Sequence, residues 1–254
     1  MLEIVQIPVL RDNYVYLIHD PDSGTTAVVD PAEAAPVLKT LAAKGWHLTH
    51  ILNTHHHYDH VGGNLALKEK TGCRVFGAEQ DRGSIPGLDA GLKDGDTVRL
   101  GEVRADVLEV PGHTAGHIAY WFRADRALFC GDTLFALGCG RLLGGSAEQL
   151  WHSLDRIRRL PAATRVYCAH EYTQNNGRFA LTLEPGNPAL VERMHRVDEA
   201  RGRGRPTVPS LLGEEVATNP FLRPDSGEIQ RAVGLEGADP VAVFAAVRQR
   251  KDVF

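Results

Sequence analysis

Residues 53–64, Asn-Thr-His-His-His-Tyr-Asp-His-Val-Gly-Gly-Asn, put four histidines and one aspartate into six consecutive positions. The apolar stretch before them, 46–52, has the composition of a buried strand, and 65–70 has that of a helix body. The cluster is therefore expected in a strand-to-helix loop, where backbone groups are not committed to a ladder and side chains can converge. In the extended half of the loop, His55 and His57 lie two apart and leave the chain on the same side. Asp59 and His60 follow the turn, near the helix start, and point elsewhere. Such a split suits two adjacent metal ions, because zinc and related metals accept imidazole nitrogen together with carboxylate oxygen. A solvated histidine run is the plain alternative, but this many liganding side chains at this spacing argue against it. His56, between two same-side neighbours, faces away and reads as a non-ligand.

The chain around this loop has 254 residues, enough to bury a substantial core and to form one large domain with a smaller one. Its 43% hydrophobic and 24% charged content is that of an ordinary soluble globular protein. A formal net charge of −4 argues against a general nucleic-acid binder. No segment approaches the roughly 20 apolar residues that span a bilayer, so no membrane partner is expected. Met1-Leu2-Glu3-Ile4 lacks the basic start and apolar core of a signal peptide, which makes a cytoplasmic location the expectation. Cys73, Cys130, Cys139 and Cys168 form no Cys-x-x-Cys pair and read as small, reduced, buried residues.

Strands are expected at 2–10, 14–19 and 25–29, and a helix at 32–44 that ends on Gly45. A short strand at 74–76 and a loop over 83–96 come after the histidine loop. A second strand series follows at 97–100, 103–110, 118–123 and 127–130, then a helix at 148–160 stopped by Pro161 and a strand at 165–169. Two mixed sheets between helix layers satisfy this order. From Thr173 the alternation stops and helical patterns take over at 174–183, 188–201, 228–233 and 240–250. Residues 202–224, rich in proline, glycine and basic side chains, are expected as a loop ordered by contact. A domain boundary is placed near Tyr172, giving residues 1–172 and 173–254.

Further donors stand just after predicted strands: His113 in Pro-Gly-His-Thr-Ala-Gly-His, Asp132 in Gly-Asp-Thr, and His170 in His-Glu-Tyr. Ligands at successive strand ends converge on one edge of a sheet. His117 reads as a packing or supporting residue beside the site, and His19, His47, His50, His152 and His195 as ordinary surface or core residues.

The pattern His-x-His-x-Asp-His, flanked by Thr54, Gly62, Gly63 and Asn64, resembles the signature of the metallo-β-lactamase superfamily. The resemblance implies an αββα sandwich, here followed by a C-terminal α-helical domain. It assigns His55, His57 and His113 to one metal and Asp59, His60 and His170 to the other, with Asp132 bridging. Asp59 and Asp132 are accordingly the acids expected to be essential for catalysis. Two divalent ions per chain are implied, zinc first, with iron or manganese also suited to these donors. Such a pair would lower the pKa of a bridging water, giving hydroxide near neutral pH, and would polarise the carbonyl under attack.

Four stretches outside the loop narrow the family: Gly138-Cys139-Gly140-Arg141, residues 167–173 (Tyr-Cys-Ala-His-Glu-Tyr-Thr), residues 219–223 (Asn-Pro-Phe-Leu-Arg) and residues 246–252 (Ala-Val-Arg-Gln-Arg-Lys-Asp). They resemble the glyoxalase II family, the hydroxyacylglutathione hydrolases, and the similarity runs over essentially the whole chain. The implied reaction is hydrolysis of the thioester S-D-lactoylglutathione to D-lactate and glutathione, the second step of methylglyoxal detoxification. A monomer is the default expectation, although nothing in the sequence fixes the oligomeric state. By the same resemblance Arg248 and Lys251, three apart on one helix face, hold the glycine carboxylate, and Arg141 and Tyr172 contact the peptide. Without the family, a solvated basic helix end would be the preferred reading of Arg248 and Lys251. Arg141 stands where the family often carries lysine, and Leu143 where it often carries an aromatic, so a ring or hydroxyl contact to substrate is lost there. The competing enzyme class is persulfide dioxygenase, a mononuclear iron oxidoreductase of the same superfamily. The complete donor set and the long helical tail favour hydrolysis, and argue against a non-catalytic binding module as well.

Overall fold

A computed structural model describes all 254 residues, which divide into two compact units. The first unit holds Met1–Glu109 with Gly116–Gly131, and the second holds Val110–Ala115 with Asp132–Phe254.

In the first unit β1 (Glu3–Val9), β2 (Asn13–His19), β3 (Thr26–Val29), β4 (Leu48–Leu52), β5 (Arg74–Ala78) and β6 (Ala90–Leu92) form one sheet in sequence order. The first three strands are antiparallel neighbours, whereas β3 to β6 pair in parallel. A parallel step needs a crossover, and α1 (Ala34–Lys44) supplies the one between β3 and β4. Gly45 ends α1 at φ 68°, the left-handed conformation that glycine adopts without a Cβ penalty. Past β4 the chain enters the short α2 (Tyr58–Val61) and then α3 (Asn64–Thr71). Val15 and Leu17 of β2 pack with Val28, Ile51 and Val75 against Val37, Leu41 and Leu67 of the helices. The intervening Tyr16 turns the other way, edge-on to Phe129 at 5.5 Å. Phe129 belongs to the second strand series, β7 (Thr97–Leu100), β8 (Val103–Glu109), β9 (Ile118–Phe122) and β10 (Ala127–Gly131), which pair antiparallel in order. β2 is thus buried on both faces, which explains its unbroken apolar run.

The second unit carries the hairpin β11 (Leu134–Phe135) and β12 (Gly138–Cys139), then α4 (Ala147–Arg158), β13 (Arg165–Cys168), α5 (Thr173–Leu183), α6 (Pro188–Gly202), β14 (Ser210–Leu211), α7 (Leu212–Thr218), α8 (Gly227–Val233) and α9 (Pro240–Asp252). α4 starts on a capping box, in which Ser146 and Gln149 bond each other's backbone N–H groups. β13 pairs antiparallel with β14.

Two expectations differ from this. The 83–96 loop contains β6, which lies parallel to β5. Three residues are too few to show an alternating pattern. Residues 202–224 are not all loop: β14, α7 and a one-turn 3₁₀ helix at Pro220–Leu222 occupy their second half. Asn219 starts that turn by accepting from Phe221 N–H at 3.0 Å, so the proline marked a helix start and not a breaker.

The hairpin is clamped by side chains from the helices. Glu215, fully buried on α7, accepts from Leu137 N–H at 2.9 Å and from the Asn219 amide at 3.1 Å, and pairs with the buried Arg193. The Asn219 amide also donates to the carbonyls of Phe135 (3.1 Å) and Gly138 (3.0 Å), and Asn176 donates to that of Ala136 (3.1 Å). Leu137 sits at φ 58°, a conformation unfavourable for its side chain, and the bond from its N–H to Glu215 helps hold it there.

Candidate metal centre

In the first unit the histidine loop hangs on Asp30, which follows β3. One Asp30 oxygen accepts from Thr54 N–H at 2.7 Å; the other accepts from the Thr54 hydroxyl (2.7 Å) and faces His60 Nδ1 at 3.0 Å. The carboxylate fixes the His60 tautomer, placing the proton on Nδ1 and the lone pair on Nε2, as metal-ligating imidazoles require. His55 Nε2 and His57 Nδ1 approach to 3.1 Å, and the His55 ring stacks on His117 at 4.6 Å. His55 and His57 thus do converge, as their spacing predicts. His117 meets the site through that stack, and its Nδ1 lies 3.1 Å from the Ile118 carbonyl.

Asp59 lies in the first turn of α2, its Oδ2 3.6 Å from His60 Nε2. Asn13, buried at the start of β2, donates its amide to that same Oδ2 at 3.0 Å and to the Asp59 carbonyl at 3.3 Å. Asn53 donates to the His60 carbonyl at 3.0 Å and accepts from Asn64 at 2.7 Å, which ties the two ends of the loop together. His56 points away, to Asp81 at 2.9 Å. Gly131 is required at this loop: a Cβ there would stand 2.2 Å from the Thr54 hydroxyl.

In the second unit Asp132 stands between two imidazoles. Its Oδ2 is 3.5 Å from His113 Nε2 and its Oδ1 is 3.3 Å from His170 Nε2. Each oxygen faces a different histidine, the arrangement a bridging carboxylate needs. His113 Nδ1 donates to the Arg141 carbonyl at 2.8 Å, which again leaves the lone pair on Nε2. The His170 ring lies flat on Tyr172 at 4.7 Å, and Phe135 meets both rings edge-on. The donor set in both units fits borderline divalent metals: imidazoles of fixed tautomer and carboxylates with further partners.

The residues expected to meet substrate fall into two groups. Arg141, Leu143 and Tyr172 are exposed, Leu143 to 61%. Arg248 is only 4% exposed and spends its fork within the protein, on Asp252 and on the Cys139 carbonyl at 3.0 Å. That differs from an exposed cation on a solvated helix end. Lys251 is half-buried against Asn175, with its ammonium over the rings of Phe179 and Phe254. Burial, and then the charges of Arg248 and Arg141, lower its pKa from 10.5 to about 8. Burial pushes the Cys139 thiol up to about 11 and the Cys168 thiol up to about 12, so neither is a thiolate near neutral pH.

Sequence reasoning missed Asp30, Asn13 and Glu215. Asp30 follows a strand, as the other candidate ligands do, so that signal was present. Asn13 and Glu215 carried none.

Residues 9–170 match the family model of the metallo-beta-lactamase superfamily, and residues 171–254 match that of the hydroxyacylglutathione hydrolase C-terminus. The chain belongs to this family. Among curated relatives, a hydroxyacylglutathione hydrolase of Methylococcus capsulatus is 66% identical, covering 100% of this chain and 99% of its own. One of Rhodospirillum rubrum is 56% identical with the same coverage. The chain has the metallo-β-lactamase fold with a helical C-terminal region. Among solved structures it resembles ETHE1 from Myxococcus xanthus (TM-score 0.68, 27% identity, covering 100% of this chain and 99% of that one). A protein crystallised in a di-iron-bound form has a TM-score of 0.63 at 26% identity, covering 87% of this chain and all of that one. No helix is long and apolar enough to cross a membrane.

Proposed function

We infer that the protein is a binuclear metal-dependent thioesterase that hydrolyses S-D-lactoylglutathione to D-lactate and glutathione. The observation that carries this reading is likeness over the full chain, helical tail included, to proteins named hydroxyacylglutathione hydrolase. His55, His57 and His113 would hold one ion, Asp59, His60 and His170 the other, and Asp132 would bridge. The two-faced setting of Asp132 and the paired nitrogens of His55 and His57 support this assignment. So does the 26% identical protein solved in a di-iron-bound form, although here zinc is the first expectation. When bound, such ions supply an activated water and polarise the thioester carbonyl.

The chain's own residues do the rest. Asp30, Asn13 and the Arg141 carbonyl orient the donors, so no ligand has to reorganise during the reaction. Arg141 and Lys251 offer fixed cations to a substrate that carries two carboxylates, and Tyr172, Leu143 and Arg248 complete the expected recognition set. Residues 1–172 would thus supply catalysis and 173–254 recognition, in a cytoplasmic monomer without a nucleic-acid partner. The test is hydrolysis of lactoylglutathione, beside a thioester lacking glutathione, by protein of measured metal content, with oxygen uptake followed in parallel. Two ions per chain and fast hydrolysis of the glutathione thioester alone are expected. One ion per chain with oxygen consumption would replace this reading with a dioxygenase.

A further inference from the structure

We infer that Arg248 is a positioning residue for the metal ligand His113, acting through the backbone of residues 139–141. The inference rests on the reading of His113 as a ligand. The guanidinium on α9 has little solvent around it. Its Nε donates to Asp252 Oδ1 at 3.1 Å, its Nη2 lies 2.9 Å from the same oxygen, and its Cζ stands over the Phe221 ring at 4.9 Å from the centroid. Its Nη1 donates to the Cys139 carbonyl at 3.0 Å and reaches the Gly140 carbonyl at 3.5 Å. The next carbonyl along the chain, that of Arg141, accepts the proton of His113 Nδ1 at 2.8 Å. The His113 carbonyl in turn accepts from Leu143 N–H at 3.0 Å.

Gly140 makes this coupling tight. A Cβ at that position would stand 2.0 Å from the Asp132 carbonyl and 3.0 Å from His113 Nδ1, so the backbone held by Arg248 is pressed against both ligands. A shift of the segment cannot be absorbed by side-chain slack there, because Gly140 has no side chain. Arg248 therefore acts on His113 through two carbonyl contacts and one peptide unit. Lys251, one turn further along α9, makes none of these contacts and bonds Asn175 instead. Of the two cations on this helix face, Arg248 is the one that bonds the backbone leading to Arg141.

The experiment compares Arg248→Lys and Arg248→Ala with Lys251→Ala. Zinc retention is measured by competition with a chromophoric chelator. Steady-state constants are measured on lactoylglutathione and on an analogue without the glycine carboxylate. Removing a partner that orients a metal ligand typically costs about 10–100-fold in affinity. Both Arg248 variants should accordingly lose zinc about tenfold more readily and show a lower kcat on both thioesters, since lysine keeps the charge but not the fork. Lys251→Ala should keep zinc affinity and raise KM only where the carboxylate is present. If Arg248→Lys, folded by circular dichroism, keeps wild-type zinc affinity and kcat, the inference is overturned. A KM change confined to the carboxylate-bearing substrate, with zinc affinity and kcat unchanged, would overturn it too, leaving Arg248 as a substrate contact alone. If the wild-type protein hydrolyses neither thioester, the proposed function fails, while the zinc competition still decides the role of Arg248.

Discussion

If Lys251 holds the substrate carboxylate, as proposed, substrate binding acquires a pH dependence that can be worked out in advance. Burial and the neighbouring charges of Arg248 and Arg141 bring its pKa down to about 8. The folded protein therefore loses this ammonium as pH rises through about 8, well before a solvated lysine would. About nine tenths of the side chains are charged at pH 7 and about one tenth at pH 9. A substrate carboxylate stays ionised throughout, so only the protein side of the contact titrates. A charge-assisted contact is worth about 1.5–3 kcal/mol, or roughly ten- to a hundredfold in binding. Half-exposure of the ammonium keeps the effect near the lower end. KM for lactoylglutathione should thus rise about fivefold between pH 7 and pH 9 and level off at higher pH, about tenfold up, near the value of Lys251→Ala. In Lys251→Arg the charge persists, and KM should stay nearly flat over the same range. The assay is initial-rate kinetics at each pH, corrected for spontaneous thioester hydrolysis, with the analogue lacking the glycine carboxylate as control. An equal rise of KM in Lys251→Arg, or on the control substrate, would refute the assignment of the carboxylate contact to Lys251.

Asp132→Asn removes the negative charge shared between two imidazoles; elemental analysis should find fewer than two ions per chain and kcat should fall by orders of magnitude, with the far-ultraviolet circular dichroism unchanged. Asn13→Ala deletes the amide that holds the Asp59 carboxylate; chelator competition should show metal affinity reduced by about 10–100-fold, and unchanged affinity would show that Asp59 needs no such support. Serine at Cys139 or Cys168 should leave kcat within a few-fold of wild type, and iodoacetamide should label neither thiol in the folded protein at pH 8. Loss of chemistry without loss of Tm in either variant would place a cysteine in the mechanism.

The local pattern around the histidines was legible because a loop between a buried strand and a helix writes its function into consecutive residues. Spacing alone put His55 and His57 on one side and His56 away from them, and strand ends pointed to His113, Asp132 and His170. What lay hidden were partners far away in sequence. Nothing near Asn13 announces that its amide meets Asp59, and Glu215 reads as an ordinary helix acid until Leu137 and Asn219 are found against it. Arg248 shows the limit of local pattern in another way: without the family resemblance a basic residue near a helix C-terminus reads as solvated, yet this one is buried. β6 and β14 escaped because elements of two or three residues are created by their neighbours and not by their own periodicity.

The clamp on the hairpin at 134–139 has a consequence for how such a protein can be altered. Glu215, Asn219 and Arg248 belong to the C-terminal helices, yet they hold the backbone that runs between Asp132 and Arg141. The tail therefore cannot be exchanged like an interchangeable head on a tool handle. A graft that brought in another tail without these three side chains would also release the backbone between Asp132 and Arg141. Lineages that acquire new substrates through this region would have to keep the three anchors fixed while the surface beside them varies.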